Sequence, residues 1–323
     1  MKDLLFLSHR IPFPPDKGEK IRAFHVFEYL AARYRVHLGT LVDDPADWPP
    51  SPRILDRCAS HYVGRMSPTS AKVRAVGGVI TGQPLSFAYF DDRRLRSWVR
   101  RTVESRKPAV VFLYSSSMSQ YVNWERANGA FVAVDVGDVD SEKFASYGAS
   151  ASRPMRYVFA REARLVRRAE RTIAEKADLC TVVSHEEAHL FGHLVGGKAW
   201  QPLVIGNGVD TRYFSPEAAF DRPYPRSEEA IVFVGRMDYR PNVDAASWFV
   251  REVFPRVRAR FPNSSYWIVG AAPSAAVRKL SSVQGVHVTG RVADVRPYVA
   301  HAGVVTAPLR IARGVQNKVL EAM

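Results

Sequence analysis

Apolar residues in this chain gather into short unbroken runs, and between the runs they recur every three or four residues. The runs Leu4–Leu7, Val36–Leu41, Val110–Leu113, Phe131–Val134, Leu179–Val183 and Leu203–Ile205 are rich in Val, Ile, Leu and Phe. They lack polar alternation, which suits strands buried on both faces. The stretches Lys20–Arg33 and Met155–Ala177 between them carry helical spacing. Strand and helix alternating at this length predict a parallel, doubly wound sheet. The pattern stops over Asp210–Glu229, where Pro216, Pro223, Pro225 and several charges read as a linker. It then resumes: strands at Ile231–Val234, Tyr266–Val269, Val286–Thr289 and Val304–Thr306, with helices Asp244–Arg260 and Pro273–Ser281. The predicted fold class is α/β with two Rossmann-like lobes and a cleft between them. Residues 1–210 form the first lobe, 211–229 the linker and 230–323 the second. The second lobe reads as unfinished, because its last helix begins near Gly314 and stops at Met323. The expectation is a truncated lobe, and hence weak or absent activity of these 323 residues alone.

Composition adds limits. Hydrophobic residues make up 46% and charged residues 24%, an ordinary globular balance. The formal net charge of +14 favours anionic partners without choosing among nucleic acid, acidic lipid and phosphorylated substrates. Cys58 and Cys180 exclude a disulfide framework and a zinc ribbon and fit a reducing compartment. The apolar run after Met1 is too short for a signal segment or a membrane span, so a cytoplasmic protein is expected, peripheral at the inner face of a membrane.

Three motifs have strong ordinary readings. His185-Glu186-Glu187-Ala188-His189 matches the H-E-x-x-H spacing of a zinc hydrolase. Yet Ser184 stands at an N-cap with Glu187 three residues on, a capping box, and Val195 occupies the place of a third ligand. The arginines of Met155–Ala177, with Arg93, Arg94, Arg96, Arg100 and Arg101, read first as solvated helix faces and second as contacts for anionic lipid. Nucleic acid ranks below both, since no aromatic recognition motif accompanies them. Gly18, at the turn from the first strand into a helix, either admits a phosphate or simply makes the turn.

The strongest pattern lies at the end of the chain. Val232-Phe233-Val234-Gly235-Arg236 is a strand ending in glycine and a cation. Ala307-Pro308-Leu309-Arg310 leads to Gly314-Val315-Gln316-Asn317-Lys318-Val319-Leu320-Glu321. In an open parallel sheet, ligands bind beyond the carboxyl ends of the strands. Arg236 and Lys318 can reach that edge, the amides of Val315–Asn317 can meet a diphosphate, and Glu321 can bind a ribose diol.

Those residues, together with Val288-Thr289-Gly290-Arg291-Val292 and Val295-Arg296-Pro297-Tyr298, resemble GT-B glycosyltransferases of family 4. Ser8-His9-Arg10-Ile11-Pro12 and Met237-Asp238-Tyr239-Arg240-Pro241-Asn242 are similar to the branch linked to bacterial exopolysaccharide and exosortase systems. The resemblance implies a metal-independent transfer, with retention, from a nucleotide-sugar to a hydroxyl acceptor, with a lipid-linked acceptor expected. The nucleotide-sugar is a substrate, and neither a cofactor nor a nucleic-acid partner is implied. It gives Arg236 and Lys318 the donor diphosphate, Glu321 the ribose and Gly290 and Val292 the base, with Gly18 approaching the diphosphate from the first lobe. Asp138 matches the residue that touches the reacting sugar or acceptor, and reads equally as an ordinary turn aspartate. Two departures stand out: Arg313 occupies the place of a family glutamate, and Pro241 that of a lysine. Arg313 or Arg310 is expected to supply the missing cation. The alternatives are the zinc hydrolase and a basic nucleic-acid-binding protein.

Overall fold

The computed structural model describes residues 1–15, 18–124, 129–149, 151–195, 201–311 and 315–323. The chain divides into two compact units, Met1–Asn207 and Gly208–Met323.

The first unit is built on strands β1 (Asp3–Ser8), β2 (Arg35–Val42), β3 (Ser60–Arg65), β4 (Val110–Tyr114), β5 (Phe131–Gly137), β6 (Leu179–Val182) and β7 (Leu203–Val204). All pair in parallel, in the order β3-β2-β1-β4-β5-β6-β7. The unbroken apolar runs follow from burial on both faces. Successive side chains of β1 enter opposite cores: Leu5 and Leu7 join Leu113 and Val134, whereas Leu4 and Phe6 meet Ala23 and Phe27 of the helix Gly18–Ala31. The edge strand β3, Ser-His-Tyr-Val-Gly-Arg, escaped the apolar pattern because His61 and Arg65 face solvent.

The second unit has β8 (Glu229–Val234), β9 (Ser264–Val269), β10 (Val286–Gly290) and β11 (Val304–Val305), parallel and ordered β10-β9-β8-β11. Ile231, Phe233, Tyr266 and Ile268 pack on Ala245, Phe249 and Phe254 of the following helical run. That run covers Arg240–Arg260, longer than the helix expected at Asp244–Arg260. It opens into a π-turn at Phe249–Val253, directly ahead of Pro255. Pro255 has no N–H for the i−4 carbonyl, and its ring needs the extra room the wider turn gives.

Residues 211–229, read as a linker, pack on the second unit. Tyr224 is buried and its hydroxyl donates to Tyr298 O at 2.5 Å. His301 bonds Phe220 O at 2.6 Å, and the Arg296 guanidinium lies 3.9 Å from the Tyr213 ring centre. The aromatic residues Tyr213, Phe220 and Tyr224 anchor the segment. Among the described residues, no helix is long and apolar enough to cross a membrane.

Candidate functional site

At the carboxyl edge of the second unit, three strand ends are held together through glycines. Gly235 N donates to Val269 O at 3.0 Å, and Gly270 N donates to Gly290 O at 3.2 Å. Gly270 has φ +146°, and a Cβ there would stand 1.8 Å from Gly235 O. Only glycine fits that approach. Gly290 was expected at this edge and Gly270 was not, although Val269-Gly270 repeats the strand-end pattern of Val234-Gly235.

Around Gly235 stand the side chains expected to meet an anion. Lys318 Nζ donates to Asn242 Oδ1 at 2.9 Å and lies 4.8 Å from the Phe233 ring centre. Asn242 Nδ2 donates to Arg236 O at 2.8 Å. Burial lowers the Lys318 pKa to about 8, with Glu321 acting the other way; burial likewise raises that of Glu321. The fold thus brings Arg236, Lys318 and Glu321 onto one unit's sheet edge. Arg236, expected as a cation for the ligand, forms a fork with Asp238 at 3.1 and 2.8 Å. Gly290 ends β10 with φ +71°, and Val292 leans on the cluster containing Tyr224 and Val269.

One expectation needs correction. The last helix starts at Asn317, not near Gly314, and spans Asn317–Ala322. Gln316 is extended (φ −85°, ψ 111°), so Val315 and Gln316 precede the helix. A β-branched valine after glycine is a poor helix start. Arg310, offered as a spare cation, forms a fork with Asp244 at 3.1 and 2.8 Å and lies over the Trp248 ring. Arg313 and Gly314 lie outside the described residues. Pro241, where a lysine was missed, is buried in the first turn of the helix Arg240–Trp248.

At the carboxyl edge of the first unit, Gly18 opens the helix Gly18–Ala31 and is exposed; its neighbours Asp16 and Lys17 lie outside the described residues. Asp138 follows β5 just after Gly137 (φ +69°) and is half-buried, within electrostatic reach of Arg22 and Tyr114. Arg22 grips Asp135 at 2.7 and 3.1 Å and donates to Ile205 O at 2.8 Å and Asn207 Oδ1 at 3.2 Å. His9 was quoted only as part of a resemblance, yet it sits at the strand-order switch beside β4, stacked on Tyr114 and edge-on to Phe90. Its Nδ1 is sealed from solvent with no partner among the described residues, and burial drops its pKa to about 4. Its place before Arg10 at the end of the first strand was the available signal.

The zinc motif is otherwise engaged. Ser184 Oγ accepts from Glu187 N at 3.2 Å, and Glu187 Oε2 accepts from Val139 N at 2.7 Å. His189 contacts His193 at 3.1 Å instead of converging with His185 on a third ligand. Among the described residues, no three His, Cys, Asp or Glu side chains cluster as a metal site would need. On the helix Arg153–Lys176, burial begins at Glu162, leaving Met155, Tyr157 and Val158 exposed among Arg153, Arg156 and Arg164.

Residues 228–323 match the family model described as glycosyl transferases group 1. No curated protein matches the chain significantly. Among solved structures, sucrose-phosphate synthase from Thermosynechococcus elongatus is similar at 17% identity and a TM-score of 0.63, covering 100% of this chain and 79% of that one. The Candida albicans trehalose-6-phosphate phosphatase N-terminal domain follows at 12% and 0.59, covering 100% and 80%. Anabaena Alr3699/HepE, solved with UDP and glucose, matches at 14% and 0.56, covering 94% and 73%. At these identities the likeness shows the fold, which is Rossmann-like and of the GT-B class.

Proposed function

We propose that this chain is a glycosyltransferase that moves a sugar from a nucleotide-sugar to a hydroxyl acceptor. The observation that carries the reading is the constellation of Lys318, Asn242, Arg236 and Glu321 around the glycine-tied strand ends, inside the stretch that matches the glycosyltransferase family model. Transfer breaks the bond between the sugar's anomeric carbon and the diphosphate, so negative charge grows on the departing oxygens. Fixed cations aimed at that charge lower the barrier most. Lys318 is such a cation, and Arg236 joins it because its half-exposed fork with Asp238 is a weak competitor for a doubly charged ligand. With the charge met this way, no metal is required. Glu321 takes the ribose, Gly290 and Val292 flank the base, Gly18 approaches the diphosphate, and Asp138 contacts the sugar or acceptor. Arg313 remains the proposed replacement cation.

The finer reading is retention of configuration, in exopolysaccharide or glycoconjugate synthesis, on a lipid-linked acceptor at the inner face of a membrane. The exposed Met155, Tyr157 and Val158 among arginines support the lipid surface, since apolar side chains ringed by cations suit an anionic interface.

A thermal-shift and mass-spectrometric screen of UDP- and GDP-sugars tests the reading, and UDP-glucose is the first probe because the Anabaena relative holds UDP and glucose. Binding should weaken about tenfold or more in Lys318→Ala, the loss of a charge-assisted contact. Equal binding in the variant, or none by the wild type, sinks the donor site. Adding anionic vesicles to the screen checks the lipid surface: protein that stays in solution rejects it.

A further inference from the structure

The donor-side lysine has an unusual partner. Lys318 is half-buried, and an ammonium drawn out of water ordinarily sits against a carboxylate, because withdrawing an unpaired charge from water is costly. Among the described residues, Lys318 forms no ion pair. Its hydrogen bond goes to the neutral amide of Asn242, a residue only 5% exposed. The orientation of that amide is dictated by its partners. Lys318 Nζ can only donate and Arg236 O can only accept, so Oδ1 must face the lysine and Nδ2 the carbonyl. The seat is cut to fit. A Cβ at Gly235 would stand 2.7 Å from Asn242 Nδ2 and 3.4 Å from Lys318 Nζ. A side chain at position 235 would therefore push the amide off its place and crowd the ammonium. Gly270 lies close to Gly235 as well: a Cβ there would stand 1.8 Å from Gly235 O.

We infer that Asn242 is a positioning residue: it fixes the Lys318 ammonium at the strand-end glycines without neutralising it, so that the full positive charge stays available to a diphosphate. This deepens the donor-site reading above and rests on it. The charged groups facing the lysine fit such a role. Glu321, on its own helix, is half-buried and draws its pKa upward, while burial draws it down more strongly, to about 8. The Arg236–Asp238 fork, on the segment that Asn242 holds, is balanced within itself. An aspartate at position 242 would keep the shape and the acceptor oxygen but cancel the charge. It would also lose the bond to Arg236 O, which only an N–H can make.

The test uses the whole chain with Asn242→Asp, Gly235→Ala and Lys318→Ala, read in two ways. The first is NMR titration of the Lys318 Cε resonance, assigned through Lys318→Ala, in the absence of nucleotide. In Asn242→Asp the midpoint should rise from near 8 by about one unit or more, as an adjacent carboxylate requires. The second is the affinity for UDP and GDP as a function of pH. The wild type should lose affinity above pH 8 as the ammonium deprotonates. Asn242→Asp should bind about tenfold more weakly at pH 7, with its alkaline limb moved upward. Gly235→Ala should weaken binding without moving that limb upward, because it displaces the amide and adds no charge. A role in folding alone would lower the melting temperature and leave the limb where it is. An unchanged Lys318 midpoint in Asn242→Asp overturns the inference, as does unchanged diphosphate affinity in that variant while Lys318→Ala loses it. If Lys318→Ala binds as well as the wild type, the donor-site reading fails instead, and the titration alone then shows whether Asn242 sets the state of the lysine.

Discussion

The carboxyl edges of the two sheets treat charge in opposite ways. At the first, charges are matched by partners: Arg22 with Asp135, Arg10 with Asp43 and Glu19, and Lys20 buried against Asp47 at 2.9 Å. Buried carboxylates cap chain segments there, with Glu162 accepting from Leu85 N and Ser86 N, and Glu187 from Val139 N. At the second edge the backbone approaches itself through glycines, and the half-buried cation rests on an amide. A matched edge holds strand ends in place but has little field left for a ligand. An unmatched cation is costly to fold and is useful when an anion completes it. Binding energy for an anion is therefore expected from the second edge, and structural order from the first.

The comparison breaks most sharply at Gly270. Gly270→Ala puts a Cβ 1.8 Å from Gly235 O at a φ of +146°, so strand ends must separate. Destabilisation of the second unit by about 5 kcal/mol is expected, the range reached when strain and overpacking combine. Denaturant unfolding followed by tryptophan fluorescence checks it, Trp248 and Trp267 both being in this unit. A loss below about 1 kcal/mol would mean the edge yields easily, and the glycine argument would fall. At the first edge, Arg22→Ala strands the Asp135 carboxylate, 1% exposed, with Thr181 Oγ1 at 2.8 Å as its remaining side-chain donor among the described residues. A cost of about 3–5 kcal/mol is expected, as for other broken buried pairs. UDP affinity should hardly change wherever the variant remains folded. Loss of affinity without loss of stability would place the anion at the first edge and reverse the comparison.

Much of this was legible in the residues, and the limits have physical causes. Strands buried on both faces announce themselves as apolar runs, so β1, β2, β4, β5, β8 and β9 could be read directly. The edge strand β3 could not, because the polar His61 and Arg65 face water and break the apolar run. Arg236 and Lys318 were visible as cations near glycine. The partners that decide their charge, Asp238 and Asn242, could not be assigned, since one comes from the adjoining turn and the other lies 76 residues from Lys318. The start of the last helix was misplaced because glycine at a strand-to-helix turn marks a boundary without fixing its position. Residues 211–229 read as a linker because proline and charge dominate them; the aromatic anchors Tyr213, Phe220 and Tyr224 carry the packing signal.

The smallest expected effect sharpens the first edge's account. Glu170 is buried like Glu162 and Glu187, yet its second oxygen has no partner among the described residues; the first accepts from Ser141 N at 3.1 Å. Burial raises its pKa to about 7, with nearby Asp140 adding to the rise and Ser141 opposing it. A carboxyl raised in this way binds its proton more tightly in the folded state than in the unfolded state. Its contribution is complete below pH 4.5 and drains away as pH rises through 7. Between pH 5 and pH 8 the first unit should lose about 2–3 kcal/mol from this group. Glu170→Gln keeps the acceptor for Ser141 N and removes the titration, so its stability should stay flat across that interval and exceed the wild type's at pH 8. Parallel pH profiles for the two proteins would show that Glu170 is as well matched as its neighbours, and the first edge would then have no weak carboxylate at all.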